Sequence, residues 1–222
     1  MATRRIVTPI SVLALALCSW LGSQGRADFI AYTTTNKGGN QGWGGNLGLD
    51  FDVNSPIVVT QLGTFNHSQG TFGPNTTIIV ALWSRNHTGS TPNDTNSDTA
   101  GAAVPLATVA FYQYDPGTLV DNYAFKLLAS PLTLAVGSYT ISAHGYNGDD
   151  LNGNENIPNF SVLTDDGGGL IRFVGTGRFD PAPGLVPAGG FSPFTVADQG
   201  VPVGTAHIFA AGSFQYHAAG GD

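Results

Sequence analysis

Between Asn147 and Glu155 the chain runs Asn-Gly-Asp-Asp-Leu-Asn-Gly-Asn-Glu, the densest run of acid and amide side chains in the protein. Hard cations such as Ca²⁺ take six to eight oxygen ligands from carboxylates, amides and carbonyls on a loop that can bend around them. Asp149, Asp150, Asn152, Asn154 and Glu155 could supply such a set, and Asp150, Asn152 and Asn154 have the alternating spacing that the chemistry favours. An EF-hand needs Gly at the sixth position, where Glu155 stands, so that motif is absent. Asp94, Asn96 and Asp98 repeat the spacing, with Thr99 where the Gly would be required. A hydrated turn is the alternative reading of both runs.

Catalytic signatures are mostly missing. The chain has no Gly-x-Ser-x-Gly elbow, no His-Glu-x-x-His pair and no P-loop. His67, His87, His144, His207 and His217 lie far apart, and each reads as a surface or strand-end histidine. Glycoside hydrolysis needs two carboxyl groups facing each other across a cleft. Asp149, Asp150 and Glu155 are the residues a hydrolase would draw on. No catalytic residue is assigned. For sugar binding, flat aromatic faces in polar surroundings are the relevant chemistry. Trp43, set among glycines, and Tyr146, beside the acidic run, are the ligand-binding candidates, while Trp83 ends an alternating strand and reads as core.

These residues must be held by strands. Leu47, Leu49, Phe51 and Val53 alternate with Gly48, Asp50, Asp52 and Asn54, the period of a strand with one buried and one wet face. Further strands are expected over 29–34, 57–65, 76–83, 106–112, 123–127, 138–143, 160–163, 170–174 and 207–216. Turn residues separate them, notably Asn54-Ser55-Pro56, Asp115-Pro116-Gly117 and Asp165-Asp166 ahead of Gly167, Gly168 and Gly169. The fold expected is therefore all-β, an antiparallel two-sheet sandwich of Greek-key or jelly-roll type with about 9–10 strands. Leu134-Ala135-Val136-Gly137-Ser138-Tyr139 has the spacing of a tyrosine corner, with an ordinary hairpin as the alternative. Two long loops interrupt the pattern. Residues 86–103 are polar and read as solvated, and residues 181–204, with Phe191 and Phe194, read as an irregular strap along the sandwich.

Arg4 and Arg5 followed by an apolar run from Ile6 to Leu17, with Gly25-Arg26-Ala27 ahead of Asp28, read as a signal peptide over residues 1–27, leaving one domain over 28–222. The apolar run is short for a bilayer span, so membrane insertion is not expected. Acylation at Cys18 is the lesser alternative, since Leu17 is bulky for a lipoprotein site. Cys18 is the chain's single cysteine, so the exported part can form no disulfide. The chain has eight basic and fifteen acidic residues. Removal of Arg4, Arg5 and Arg26 leaves a net charge of about −10, which repels phosphate backbones and argues against nucleic-acid binding.

The stretches Leu49 to Phe65, Val80-Ala81-Leu82-Trp83, Leu132 to Ala143 and Phe214-Gln215-Tyr216 together resemble exported bacterial β-sandwich proteins of the DUF4082-like kind. The resemblance spans nearly all of residues 28–222 and implies a sandwich, with no activity or catalytic residues to carry over. Many proteins of that kind end in a PEP-CTERM sorting tail. Here the sequence closes on Ala218-Ala219-Gly220-Gly221-Asp222, so the resemblance implies no anchoring by that route. The expectation is an exported, non-catalytic β-sandwich module, structural or binding a surface glycan, with calcium as a candidate cofactor. A secreted jelly-roll hydrolase acting on polysaccharide through loop carboxylates is the alternative.

Overall fold

The computed structural model describes residues 28–35, 38–95, 97–154, 162–183, 192–193 and 209–220. The signal-peptide reading, Glu155, His207 and most of the 181–204 strap lie outside the described residues. No helix occurs among them. In chain order the strands are β1 (Phe29–Ile30), β2 (Tyr32–Thr34), β3 (Gly45–Val53), β4 (Ile57–Phe65), β5 (Thr77–Asn86), β6 (Thr99–Ala100), β7 (Ala107–Tyr112) and β8 (Thr118–Val120). There follow β9 (Tyr123–Leu134), β10 (Gly137–His144), β11 (Gly153–Asn154), β12 (Val162–Thr164), β13 (Ile171–Pro183), β14 (Ser192–Pro193), β15 (Phe209–Ala210) and β16 (Gly212–Ala218).

Two large antiparallel sheets face each other, as the sequence pattern predicts, with β2–β12 and β11–β15 as two small two-stranded sheets beside them. One has the order β1-β16-β4-β9-β8, the other β14-β13-β3-β10-β5-β6 with β7 also paired to β5. Between them lie Leu47, Leu49, Phe51 and Val53 of β3, Ile78, Val80 and Leu82 of β5, and Ile141 of β10, closed from the other side by Ile57, Val59 and Leu62 of β4 and Phe214 and Tyr216 of β16. Phe51 is the hub: its ring lies 4.8 Å from Phe214 across the sandwich and 5.7 Å from Tyr139 on the neighbouring strand. A side chain of this kind buries some 150–250 Å² of apolar surface, the main force holding two sheets together.

The chain crosses from the first sheet to the second between β9 and β10. There the Tyr139 hydroxyl donates to the Ala135 carbonyl at 2.9 Å, the bond a tyrosine corner makes. Burial raises the Tyr139 pKa above its ordinary value, so the hydroxyl stays a donor at neutral pH. Tyr139→Phe should therefore cost about 1 kcal/mol in denaturant unfolding, the net worth of one such bond, while leaving the ring packing intact.

Alternation within β3 is half of a larger fact. The apolar side faces the core, but the polar side is not wet: Asn46 and Asp50 are as buried as Leu49. The register places Asp52 between Ser138 and Arg172, Asp50 between Thr140 and Val174, and Gly48 between Ser142 and Arg178. The outward face of the second sheet is thus a ladder of polar side chains that needs partners. Arg85 of β5 and Arg178 of β13 pair with its carboxylates, and the 86–103 insertion closes over those arginines with Asp98 and the Thr95 carbonyl.

That insertion is only partly solvated, which corrects the sequence expectation. Its Thr95, Asp98 and Ala100 are buried. Ala100 packs with Ala81 and Trp83 into a small second apolar cluster. Trp83 is buried as expected, but on the outward side of its sheet, where its indole N–H donates to Ser142 Oγ at 3.0 Å. A bulge in β13, between Val174 and Gly177, makes room for the insertion. Gly175 sits in it at φ +59°, and a Cβ there would collide with the Thr95 side chain, so both its backbone angle and its lack of a side chain are required.

Candidate functional site

Three regions gather polar side chains, and each has a different chemical character. The first is the acidic run. Asn147 works as a loop staple: its Oδ1 accepts from the Asp149 and Asp150 amides at 2.8 and 3.1 Å, and its Nδ2 donates to Thr76 Oγ1 at 3.0 Å. Asp150 is buried, with Oδ1 accepting from Ser68 Oγ at 3.1 Å and Oδ2 from the Gly73 amide at 2.7 Å. Asn152 is buried too, its Nδ2 donating to the Gln41 carbonyl at 2.6 Å. The Asn154 amide donates to Asn40 Oδ1 at 2.9 Å. Asp149 is exposed and Glu155 lies outside the described residues. These acid and amide groups therefore pin the loop to the 38–44 and 68–76 segments. Among the described residues no three His, Cys, Asp or Glu side chains come together as a metal-binding group.

The two aromatic candidates lie on hydrogen-bonded neighbouring segments but do not form a platform. Gly145 donates its amide to the Gly44 carbonyl at 3.3 Å, which brings the two segments side by side. Tyr146, however, is 1% exposed and points inward, where its hydroxyl meets Thr64 Oγ1 at 2.7 Å and the Ala211 carbonyl at 3.2 Å. A ring that closes the core offers no face to a ligand. Trp43 is half-buried, edge-on to Phe179 with ring centroids 6.0 Å apart.

The second region is the ion-pair network on the outward face of the second sheet. Arg178 donates from Nε to Asp50 Oδ2 at 2.6 Å and from Nη2 to the Thr95 carbonyl at 2.6 Å. Arg85 donates from Nη2 to Asp52 Oδ1 at 2.8 Å, from Nε to the Tyr139 carbonyl at 3.3 Å, and from Nη1 to Asp98 Oδ2. Asp50 accepts in addition from Thr140 Oγ1 at 2.5 Å, and Asp52 from Ser138 Oγ at 2.8 Å. Both guanidinium groups are fully desolvated, which is tolerable only because their forks meet carboxylates and carbonyls in this way. Asp98, once a cation-ligand candidate, is turned to Arg85, to His87 Nδ1 at 2.9 Å and to the Thr88 amide at 2.7 Å.

Two titrations follow from this face. Burial pushes the Asp98 carboxyl up, but the Thr88 amide, the His87 ring and the Arg85 guanidinium together hold it below its ordinary value. His144, opposite Ile79 in the register of β10 and β5, is driven the other way by desolvation: its pKa is lowered, and its buried Nε2 has no partner among the described residues. An unfolded chain binds a proton at His144 near pH 6.5 that the folded chain refuses, so acid favours unfolding there; Asp98 adds a second loss, beginning below about pH 4 and completed as pH falls through its folded pKa. The thermal midpoint should fall in two steps on acidification from pH 7.5, and His144→Gln should remove the upper one. A midpoint that stays flat down to pH 5 would contradict the burial of a neutral His144.

The third region is a cleft of ≈ 410 Å³ at the end of β3, lined by Asn54, Thr164, Asp166, Gly169, Ile171, Arg172 and Phe173. One wall is the start of β13, which pairs with β3 on one side; among the described residues it meets β14 on the other only through Arg178 and Phe179. The opposite wall is the turn Asp165 to Leu170. Tyr216 donates its hydroxyl to the Asp165 carbonyl at 2.7 Å, and Asn54 Nδ2 donates to the Gly169 carbonyl at 3.0 Å, so core and sheet both fix that turn. Gly167 has φ +61° and packs under the Tyr216 hydroxyl and the Phe29 ring, where a side chain would not fit. Asp165 and Asp166 each cap the amide two residues on, at 2.9 Å.

Sequence reasoning did not find this cleft. Its one visible signal, the Asp-Asp-Gly-Gly-Gly run, reads equally as plain turn chemistry, and Asn54, Arg172 and Phe173 are brought to it only by the pairing of β3 with β13. No family model matches the chain, and no curated protein matches it either.

Proposed function

We propose that this protein is an exported, non-catalytic β-sandwich module whose role is to bind glycan, with the cleft beside Arg172 as its binding site. The observation that carries the reading is the composition of that cleft: the planar polar side chains of Asn54, Asp166 and Arg172 and the Thr164 hydroxyl converge on one volume, backed by the edge of the core at Ile171 and Phe173. Ligand pockets generally combine an apolar lining with a few fixed polar groups in this way, within volumes of about 300–1,000 Å³. The resemblance to exported DUF4082-like proteins and the leader-like N-terminus support the extracytoplasmic setting. Of the loop carboxylates a hydrolase would use, Asp150 already accepts two protein hydrogen bonds and Asp149 is exposed, so these two do not face each other across a cleft. A screen of the purified protein against immobilised oligosaccharides should give binding without any release of reducing ends. Hydrolysis abolished by a single carboxylate substitution would replace this reading with the enzymatic one.

A further inference from the structure

Arg172 stands apart from the other described cations. Arg85 and Arg178 are sealed in the outward-face network and Lys126 is closed against Asp115 at 2.7 Å, whereas the Arg172 side chain keeps 52% of its surface in solvent. Of its five N–H donors, one is committed, Nη2 to Asp52 Oδ2 at 3.3 Å. Across the turn, Asp166 spends Oδ1 on the Gly168 amide and, among the described residues, Oδ2 on nothing. Asn54 donates through Nδ2 to Gly169, which leaves its Oδ1 as an acceptor. Thr164 adds a hydroxyl at the end of β12.

Resting on the glycan-binding reading, we propose that the cleft is a subsite for one end or branch of a neutral oligosaccharide, with Arg172 and Asp166 gripping hydroxyl groups of a single pyranose ring. The charge pattern selects the class. A uronate or phosphate would meet the Asp166 carboxylate, and an ammonium sugar would meet the Arg172 guanidinium; each would give back against one group what it gains from the other. A hydroxyl is donor and acceptor at once and carries no charge, so it can use both. The surrounding field agrees, because all four described cations are paired with aspartates while Asp94, Asp121, Asp149, Asp165 and Asp166 form no ion pair with a described cation, a surface that repels anionic polymers. The cleft is short and open, which fits a chain terminus better than a long polymer strand.

The test is titration calorimetry of the purified protein and of Arg172→Gln and Thr164→Val with neutral, uronate-bearing and amino-sugar oligosaccharides taken from one size series, with thermal midpoints recorded alongside. The proposal expects binding of the neutral series and a loss of at least about tenfold in affinity for each variant, since a hydroxyl left without its partner costs that much, at midpoints close to that of the parent. Neutral oligosaccharides that bind both variants as tightly as the parent would overturn the site and leave the glycan-binding reading standing. Tighter binding of either charged series would overturn the class. Failure of every series to bind the parent would remove the glycan-binding reading itself, and this subsite with it.

Discussion

Replacing Arg178 by alanine should destabilise the fold by about 3–5 kcal/mol, because it strands Asp50 in a desolvated site with its principal cation gone. In a domain of this size that corresponds to a thermal midpoint lower by roughly 6–20 °C. Arg172→Ala is the control: its pair with Asp52 is half in water, and its loss should cost less than about 1 kcal/mol. A double substitution, Asp50→Leu with Arg178→Met, removes one charge of each sign and should recover most of the Arg178→Ala loss, since the residual Arg85, Asp52 and Asp98 cluster keeps its own partners. Equal effects for Arg178→Ala and Arg172→Ala would mean that water reaches Asp50 and that the insertion does not seal this face.

The second large effect is expected at Trp83. The indole is almost fully buried outside the main core, between the outward face of β5 and the insertion, with Ala81 and Ala100 as its apolar neighbours. Trp83→Ala should cost about 3–5 kcal/mol in denaturant unfolding, the range for removing a large buried aromatic. Because both apolar neighbours are alanines, little can collapse into the space, which places the cost at the upper end. It should also loosen the insertion, seen as faster amide exchange at Thr88 and Gly101, whose N–H groups donate to Asp98 Oδ1 and to the Ser84 carbonyl. If exchange there is unchanged, Trp83 supports the sheet alone and the insertion is held by its ion pairs.

These two sites show how far the sequence could be read. The apolar half of β3, Leu47 to Val53, is legible from its period of two, and it lies in the core as that period implies. The polar half is not, because the same alternation suggests water where the protein places Arg85 and Arg178. Those partners come from residues 35 and 128 positions away from Asp50, and no local pattern encodes such a pairing. The turn at Ala135 to Tyr139 is legible because all of its chemistry is within five residues. Tyr146 misled for the opposite reason: its neighbours Asn147 to Asp150 look solvated, yet one residue earlier the chain is still filling the core. The cleft depends on a strand pairing between Asp52 and Arg172, and it becomes visible only in three dimensions.

One consequence of the paired cations concerns endurance. Proteases of the trypsin type need an accessible Lys or Arg on a segment that can be drawn into an extended, isolated conformation. Arg85 and Arg178 are enclosed, Lys126 is clamped over the Phe111 and Tyr112 rings, and the partly open Arg172 lies within a hydrogen-bonded strand. Along the described chain such an enzyme has no ready point of attack, so the arrangement that balances charge inside the sandwich also withholds the bonds that follow Arg85, Lys126, Arg172 and Arg178.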